Sequence, residues 1–286
     1  MYVDSNSSSP TVIHFTTKGF GVGGVTSLGD DVFVLRHQGE EKIEVDHAKT
    51  FTIQRHITIP GLGLFSFGLA ACPHNNCLYA SDHHNHSIHK VELSGNNAVM
   101  KWYVAHQPTG LSVNSEHNLL VVSLGDMKLQ IFTTHGTLLQ NIQLQAGIED
   151  PWHAVQLPTG QFLVSHGGFS GLHRVCLVGV DGTVVRSYGG QNGSQLTQMV
   201  VPNCLSVDRV GRVLVADRDN NRLLVIDQSL SSAHEMSVCV DGGLKDPSSL
   251  WYDQSRRRLY IGESEGGGRV IVVGNLEDFS AAQVNA

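Results

Sequence analysis

The stretch from Val201 to Asp227, VPNCLSVDRVGRVLVADRDNNRLLVID, constrains the fold more than any other part of the chain. It divides into an apolar run from Leu205 to Asp208, a tight turn at Arg209 to Gly211, and a nearly continuous apolar run from Val213 to Ala216. A polar loop, DRDNNR, then leads to a third run from Leu223 to Asp227. Alternation in the outer runs and continuity in the central one predict three short antiparallel strands, the middle one covered on both faces. Such a meander cannot bury its own faces, so it requires neighbours of the same kind.

Those neighbours are present. The same pattern recurs in residues 24–46, 68–92, 108–132, 151–178 and 247–273, and Pro108, Pro151, Pro202 and Pro247 stand 43, 51 and 45 residues apart. A period in the forties with about four strands per repeat is that of a propeller blade. A more polar fourth strand is expected at Phe51 to Ile59, Val99 to Val104, Leu138 to Leu144, Val184 to Tyr188 and Glu235 to Val240. The last repeat lacks one, and Thr11 to Thr17 is an apolar run with no repeat before it. Pairing that run with Val270 to Val273 would close the ring and remove an open sheet edge. The expected fold is therefore all-β: a six-bladed β-propeller of four-stranded antiparallel blades over residues 11–275, with tails at 1–10 (disordered) and 276–286.

Composition narrows the function classes. Charged residues make up 16% of the chain and Gly numbers 31, which favours strands and tight turns over helices. A formal net charge of -7 argues against general polyanion binding, and DNA is not an expected partner. No basic leader with an apolar core opens the sequence, and no apolar stretch has membrane-spanning length, so a cytoplasmic, monomeric protein is expected. The sequons at Asn6, Asn85 and Asn192 would matter only if a removed signal made the chain extracellular. Five scattered cysteines read as buried or free thiols rather than a disulfide framework.

GRVLVADRDNNRLLVID, preceded by VVPNCLSVD and YGGQNGSQLTQM, resembles an NHL repeat, and the chain as a whole resembles the six-bladed NHL propellers of tripartite-motif proteins. The resemblance implies an acidic residue ending the second strand and a basic one opening the third, here Asp217 with Arg222 and Glu263 with Arg269. Lys42 and Lys128 hold the basic position elsewhere without the acid. These pairs read as blade construction, an Arg fork clamping a tight loop. The resemblance also implies binding of a protein or an RNA stem-loop through one face. Related propellers include a zinc-dependent lyase and calcium-dependent hydrolases with channel metals.

Three kinds of site follow. In a propeller, the inter-blade loops and the loops between second and third strands share one face, which would gather Phe65, Phe67, Trp152, His153, Phe169, Arg218 and Asn220. Aromatic residues with an Arg on a rigid platform suit a protein or peptide partner. A channel metal would draw on His106 and His153, for which no third ligand is evident; the DHHNHS loop offers His83, His84 and His86, with Cys72, His74 and Cys77 near in sequence but at the opposite end of the hairpin. No standard finger spacing, nucleophile elbow or phosphate-binding loop occurs. The expected function is a non-enzymatic binding scaffold for a protein or peptide without a required cofactor. RNA binding is the second reading and metal-dependent lyase or hydrolase chemistry the third, a bound metal being otherwise adventitious.

Overall fold

The computed structural model describes residues 11–16, 20–37, 41–64, 66–167, 171–265 and 267–274. Strand β1 (Thr11–Thr16) precedes blade 1, which consists of β2 (Val22–Leu28), β3 (Asp31–Arg36), β4 (Lys42–His47) and β5 (Ile53–Thr58). Blade 2 contains β6 (Leu69–Cys72), β7 (Cys77–Asp82), β8 (Ser87–Glu92) and β9 (Val99–Tyr103). Blade 3 contains β10 (Gln107–Val113), β11 (Leu119–Leu124), β12 (Lys128–Phe132) and β13 (Leu138–Gln143). Blade 4 contains β14 (Pro151–Gln156), β15 (Phe162–His166), β16 (Leu172–Val178) and β17 (Val184–Gln191). Blade 5 contains β18 (Pro202–Val207), β19 (Val213–Asp217), β20 (Arg222–Ile226) and β21 (Ala233–Met236), with a 3-10 turn at Arg218–Asn220. Blade 6 contains β22 (Pro247–Asp253), β23 (Arg258–Glu263) and β24 (Arg269–Gly274).

Each blade is a four-stranded antiparallel sheet, and the sixth is completed by β1 against β24. The register of that closure pairs Val12 with Val273, Ile13 with Val272 and Phe15 with Val270. The chain is a six-bladed β-propeller closed by strands from both ends of the described structure. Among the described residues no helix is long and apolar enough to cross a membrane.

The core explains why the repeats depend on one another. Among the described residues six buried apolar clusters occur, and each lies between two adjacent blades. Leu35, Ile43 and Val45 of blade 1 meet Leu69, Leu78 and Val91 of blade 2, for example. Leu214, Leu223 and Val225 of blade 5 meet Leu250, Leu259 and Ile271 of blade 6. Blade 6 returns to blade 1 through Tyr260, Val270 and Val272 against Val22, Val25, Val32 and Val34. Burial at about 25 cal/mol per Å² of apolar surface is thus available to a blade only when its neighbours are in place.

Two strand expectations are corrected. The first strand of blade 5 begins at Pro202 rather than Leu205. Proline lacks a ladder donor and is tolerated at a strand start, which is also where Pro151 and Pro247 stand. The fourth strand is Ala233–Met236 rather than Glu235 to Val240. It runs out where its partner β20 begins, Met236 opposite Leu223, and Val238 and Val240 pack against the core between blades 5 and 6 instead. All six turns between first and second strands carry a residue at positive φ. Three are Gly29, Gly160 and Gly211, and three are the non-glycines Asn76, His117 and Arg257.

Candidate functional site

The first strands line the central channel. They lack a ladder partner on that side, so their small polar side chains bond the backbone of the next blade. Ser112 Oγ donates to the Ala154 carbonyl at 2.8 Å, Asn203 Nδ2 to Ser248 O at 2.6 Å, and Ser248 Oγ to Val22 O at 2.7 Å. Val25 N donates to Ser249 Oγ at 2.9 Å and Tyr252 N to Ser206 Oγ at 3.1 Å. These bonds satisfy groups that would otherwise be buried unpaired.

Toward the inter-blade loops, neighbouring first strands approach one another closely. The register of five first strands shifts near its start, between Val22 and Gly24, Pro108 and Leu111, Pro151 and His153, Pro202 and Cys204, and Pro247 and Ser249. Bulges of this kind bend a strand and re-aim its side chains. Glycine permits the approach: a methyl group at Gly110 would lie 2.4 Å from the Trp152 carbonyl oxygen, and one at Gly24 would lie 2.5 Å from Leu69 Cβ.

Below these contacts the channel holds a cavity of about 1110 Å³. Half-buried Val113, Val155, Leu157, Val207 and Trp251 wall it, and Phe67 and His153 lie at its inner end. Its mouth is ringed by the turns between first and second strands, with Pro73, Pro158, Arg209 and Gln254 exposed there. The cavity therefore opens on the lower face, opposite the face that the sequence pattern singles out. A large, mostly apolar concavity with a few polar groups at its rim is the usual form of a ligand site.

His153 is part of the wall. Its Nδ1 accepts from Leu205 N–H at 3.4 Å and its Nε2 lies 3.1 Å from the Leu111 carbonyl, which assigns the proton to Nε2. One imidazole thus ties β14 to strands on both sides, with both nitrogens engaged. Although one edge of the ring reaches the channel, protein surrounds the rest, and burial pushes its pKa down to about 4.

At the mouth, charges are largely paired inward. Asp208 accepts from Val210 N, Arg212 N and Arg212 Nε at 3.0, 2.9 and 2.7 Å. Asp253 accepts from Ser27 Oγ at 2.8 Å, Ser255 Oγ at 2.6 Å and an Arg256 guanidinium nitrogen at 3.1 Å. Burial alone would raise the Asp253 carboxyl, but these donors outweigh it and leave the group below the usual carboxylate range.

The upper face is built differently. Asp217 and Glu263 are fully buried and each forms the centre of a clamp. Asp217 accepts from Val200 N at 2.7 Å and Arg222 Nε at 2.8 Å, while the Arg222 guanidinium also holds Ser194 O, Gln195 O and Gln198 O. Glu263 likewise accepts from Lys245 N and Arg269, whose other nitrogens reach Asp241 O and Gly243 O. In blade 1 the polarity is reversed: Arg36 at the end of β3 pairs with Glu44 in β4 at 2.8 and 3.2 Å and holds Phe20 O and Gly268 O. Lys128 does have an acidic partner, Asp126 at 3.8 Å, which follows the second strand rather than ending it.

Most of the upper-face candidates are occupied by this construction. Asn220 Nδ2 donates to Gly193 O and Asp217 Oδ2, so its amide staples the loop instead of facing outward. Arg218 is partly exposed and pairs with Asp219 at 2.9 Å. Trp152 donates from Nε1 to Gly167 O at 3.1 Å. Phe67 is wedged edge-on between His37 and His83, with ring centroids 5.1 and 4.9 Å away. Phe65 and Phe169 lie outside the described residues.

The histidine candidates do not converge. His83 Nδ1 sits 3.4 Å from Pro108 O, His84 is exposed, and His86 occupies the positive-φ position of its turn. His106 lies 3.9 Å from Asp126 on the surface. Among the described residues no three His, Cys, Asp or Glu side chains are grouped to hold a metal ion. Cys72, Cys77, Cys176 and Cys204 are buried thiols and Cys239 is an exposed one. Sequence reasoning missed Trp251, Val207 and Arg209 as cavity residues; the turn DRVG, with an Arg beside an apolar residue at a hairpin tip, was the available signal.

The fold is that of a six-bladed propeller, and its channel holds an open cavity. No protein-family model matches the sequence, and no curated protein matches it. Solved structures do. Hydrazine synthase from Kuenenia stuttgartiensis aligns over 97% of this chain and 81% of its own at 15% identity, with a TM-score of 0.65. Virginiamycin B lyase from Staphylococcus aureus aligns over 93% of this chain and 99% of its own at 8% identity, with a TM-score of 0.66. A streptogramin B lyase aligns over 93% and 97% at 10% identity, with a TM-score of 0.67. At these identities the likeness is one of fold alone.

Proposed function

We propose that the protein is a binding scaffold, an NHL-type propeller whose partner is a protein or peptide seated at the mouth of the lower-face cavity. The observation that carries this reading is the cavity itself, about 1110 Å³ with half-buried apolar side chains facing an open mouth. Apolar surface held open on a rigid frame is what an anchoring side chain of a partner fills. The clamps of Asp217 with Arg222 and Glu263 with Arg269 support the NHL kinship. They also weigh against an RNA-binding upper face, because Arg36, Arg222 and Arg269 are committed to carboxylates and loop carbonyls.

The test is selection from a random dodecapeptide phage library, with the recovered peptides titrated calorimetrically against wild type, Val207→Trp and Arg218→Glu. Filling the cavity at Val207 is expected to weaken binding at least tenfold, and the upper-face change to leave it within twofold. Loss on Arg218→Glu alone would move the partner to the upper face. Elemental analysis of the same protein, returning one tightly held metal per chain, would favour channel chemistry instead.

A further inference from the structure

We infer that the ligand taken at the lower mouth carries a carboxylate next to the apolar side chain it inserts, and that Arg209 reads that carboxylate. This rests on the cavity reading above and specifies the chemistry of its occupant. Of the four charged side chains that border the cavity, Asp208, Arg209, Asp253 and Arg256, three are already balanced. Asp208 is neutralised by Arg212 at 2.7 Å and by two backbone N–H groups. Asp253 and Arg256 pair with each other at 3.1 Å, and Arg256 also reaches Asp30 at 2.8 Å.

Arg209 differs from them. It stands exposed at the tip of the turn joining β18 to β19, and among the described residues it makes no hydrogen bond or ion pair. Its guanidinium is left with its five donors unspent, in a planar fork suited to a carboxylate. The two carboxylates that border the cavity, Asp208 and Asp253, are by contrast engaged by donors from within the protein.

The apolar surroundings set where the anion sits. Val210, next to Arg209, is 53% exposed, and Leu157 and exposed Pro158 of the neighbouring turn also border the cavity. A chain that passes Arg209 with its carboxylate at the rim can place an adjacent apolar side chain against these residues and on toward Val207. The formal net charge of the whole protein is -7, so the attraction is local. At physiological salt it extends about 8 Å, the screening length, and acts as a specificity contact rather than long-range steering.

The experiment uses the peptides recovered on wild-type protein. Each tight binder is synthesised in two forms, one with its Asp or Glu residues and one with Asn or Gln in their place, and both are titrated against wild type and Arg209→Gln. The acidic form is expected to bind wild type about tenfold more tightly than the amide form, a difference of about 1.4 kcal/mol. Arg209→Gln should bind the two forms equally, and 0.5 M salt should narrow the gap on wild type. Equal binding of the two forms to wild type overturns the inference, as does a gap that survives in Arg209→Gln.

The two readings fail separately. Peptides that are lost on Val207→Trp yet show no acid dependence leave the cavity reading standing and remove the role of Arg209. Leu157→Glu serves as a second cavity variant if Val207→Trp does not fold, judged by circular dichroism. If no peptide is recovered while 1-anilinonaphthalene-8-sulfonate binds one per chain and is weakened in Arg209→Gln, the occupant is a small amphipathic acid and the peptide proposal falls. If neither probe binds, both readings fall.

Discussion

At the residue scale, the same chemical types do opposite things according to what surrounds them. Asp217 and Glu263 are buried carboxylates with backbone and Arg donors converging on them, and they hold loops in place. Asp46, in β4, is equally buried, yet neither of its carboxyl oxygens has a hydrogen-bond partner. Alternation along β4 sends Ile43 and Val45 toward blade 2, so Asp46 points to the seam with blade 6. Burial, with Glu44 nearby, raises its pKa to about 6. A carboxyl whose folded pKa exceeds its unfolded one stabilises the fold in acid and loses that contribution as pH rises through about 6. His37, His153 and His166, each pushed down to about 4 by burial, act in the reverse sense and lose stability as pH falls below their unfolded value. The difference between wild type and Asp46→Asn isolates the carboxyl. Chemical denaturation is expected to show the variant equal to wild type near pH 3.5 and more stable at pH 7.5 by about 3 kcal/mol. A difference that does not change with pH would refute the assignment.

At the element scale, ring closure depends on β1. Without it, β24 would present an open edge of backbone donors and acceptors beside the cluster of Tyr260, Val270 and Val272. Exposed edges of this kind template association with other chains. Removing residues 1–16 is therefore expected to lower the melting temperature by at least 10 °C and to produce soluble aggregates on size-exclusion chromatography. A synthetic peptide spanning residues 11–17, added in excess, should restore part of the loss by supplying the missing strand. A truncated protein that melts like the full chain would show that β1 is dispensable. The first strands illustrate the other role of an element, since they line the channel and wall its cavity.

At the scale of the whole molecule, every core cluster is shared between two blades, and the ring has no free end at which fraying can begin. An open repeat array can unfold piecewise, whereas here the loss of one blade uncovers apolar faces on both neighbours. Trp102, Trp152 and Trp251 fall in blades 2, 4 and 6, so they sample the ring at alternate positions. Three single-tryptophan variants are expected to give urea midpoints that coincide with one another and with the far-ultraviolet signal. Distinct midpoints would mean that the blades unfold independently.

Beside the structure, the periodic parts were legible in the chain: six blades, four strands in each, and the partner of the N-terminal strand. These follow from alternation, turn residues and spacing, which are local and survive translation into three dimensions with shifts of only a few residues, as at Pro202 and Met236. What tertiary structure alone decided is which polar groups are spent and which face is open. Asn220 reads as an exposed loop residue, but Gly193 O, far along the chain, consumes its amide. His153 reads as a metal ligand, but carbonyl and amide groups from two other blades take both its nitrogens. The cavity opens below, past the register shifts of five first strands and the glycines at which neighbouring blades meet. Each of those outcomes depends on a partner set by how blades pack side by side, and a pattern within one repeat carries no record of what the next repeat places against it.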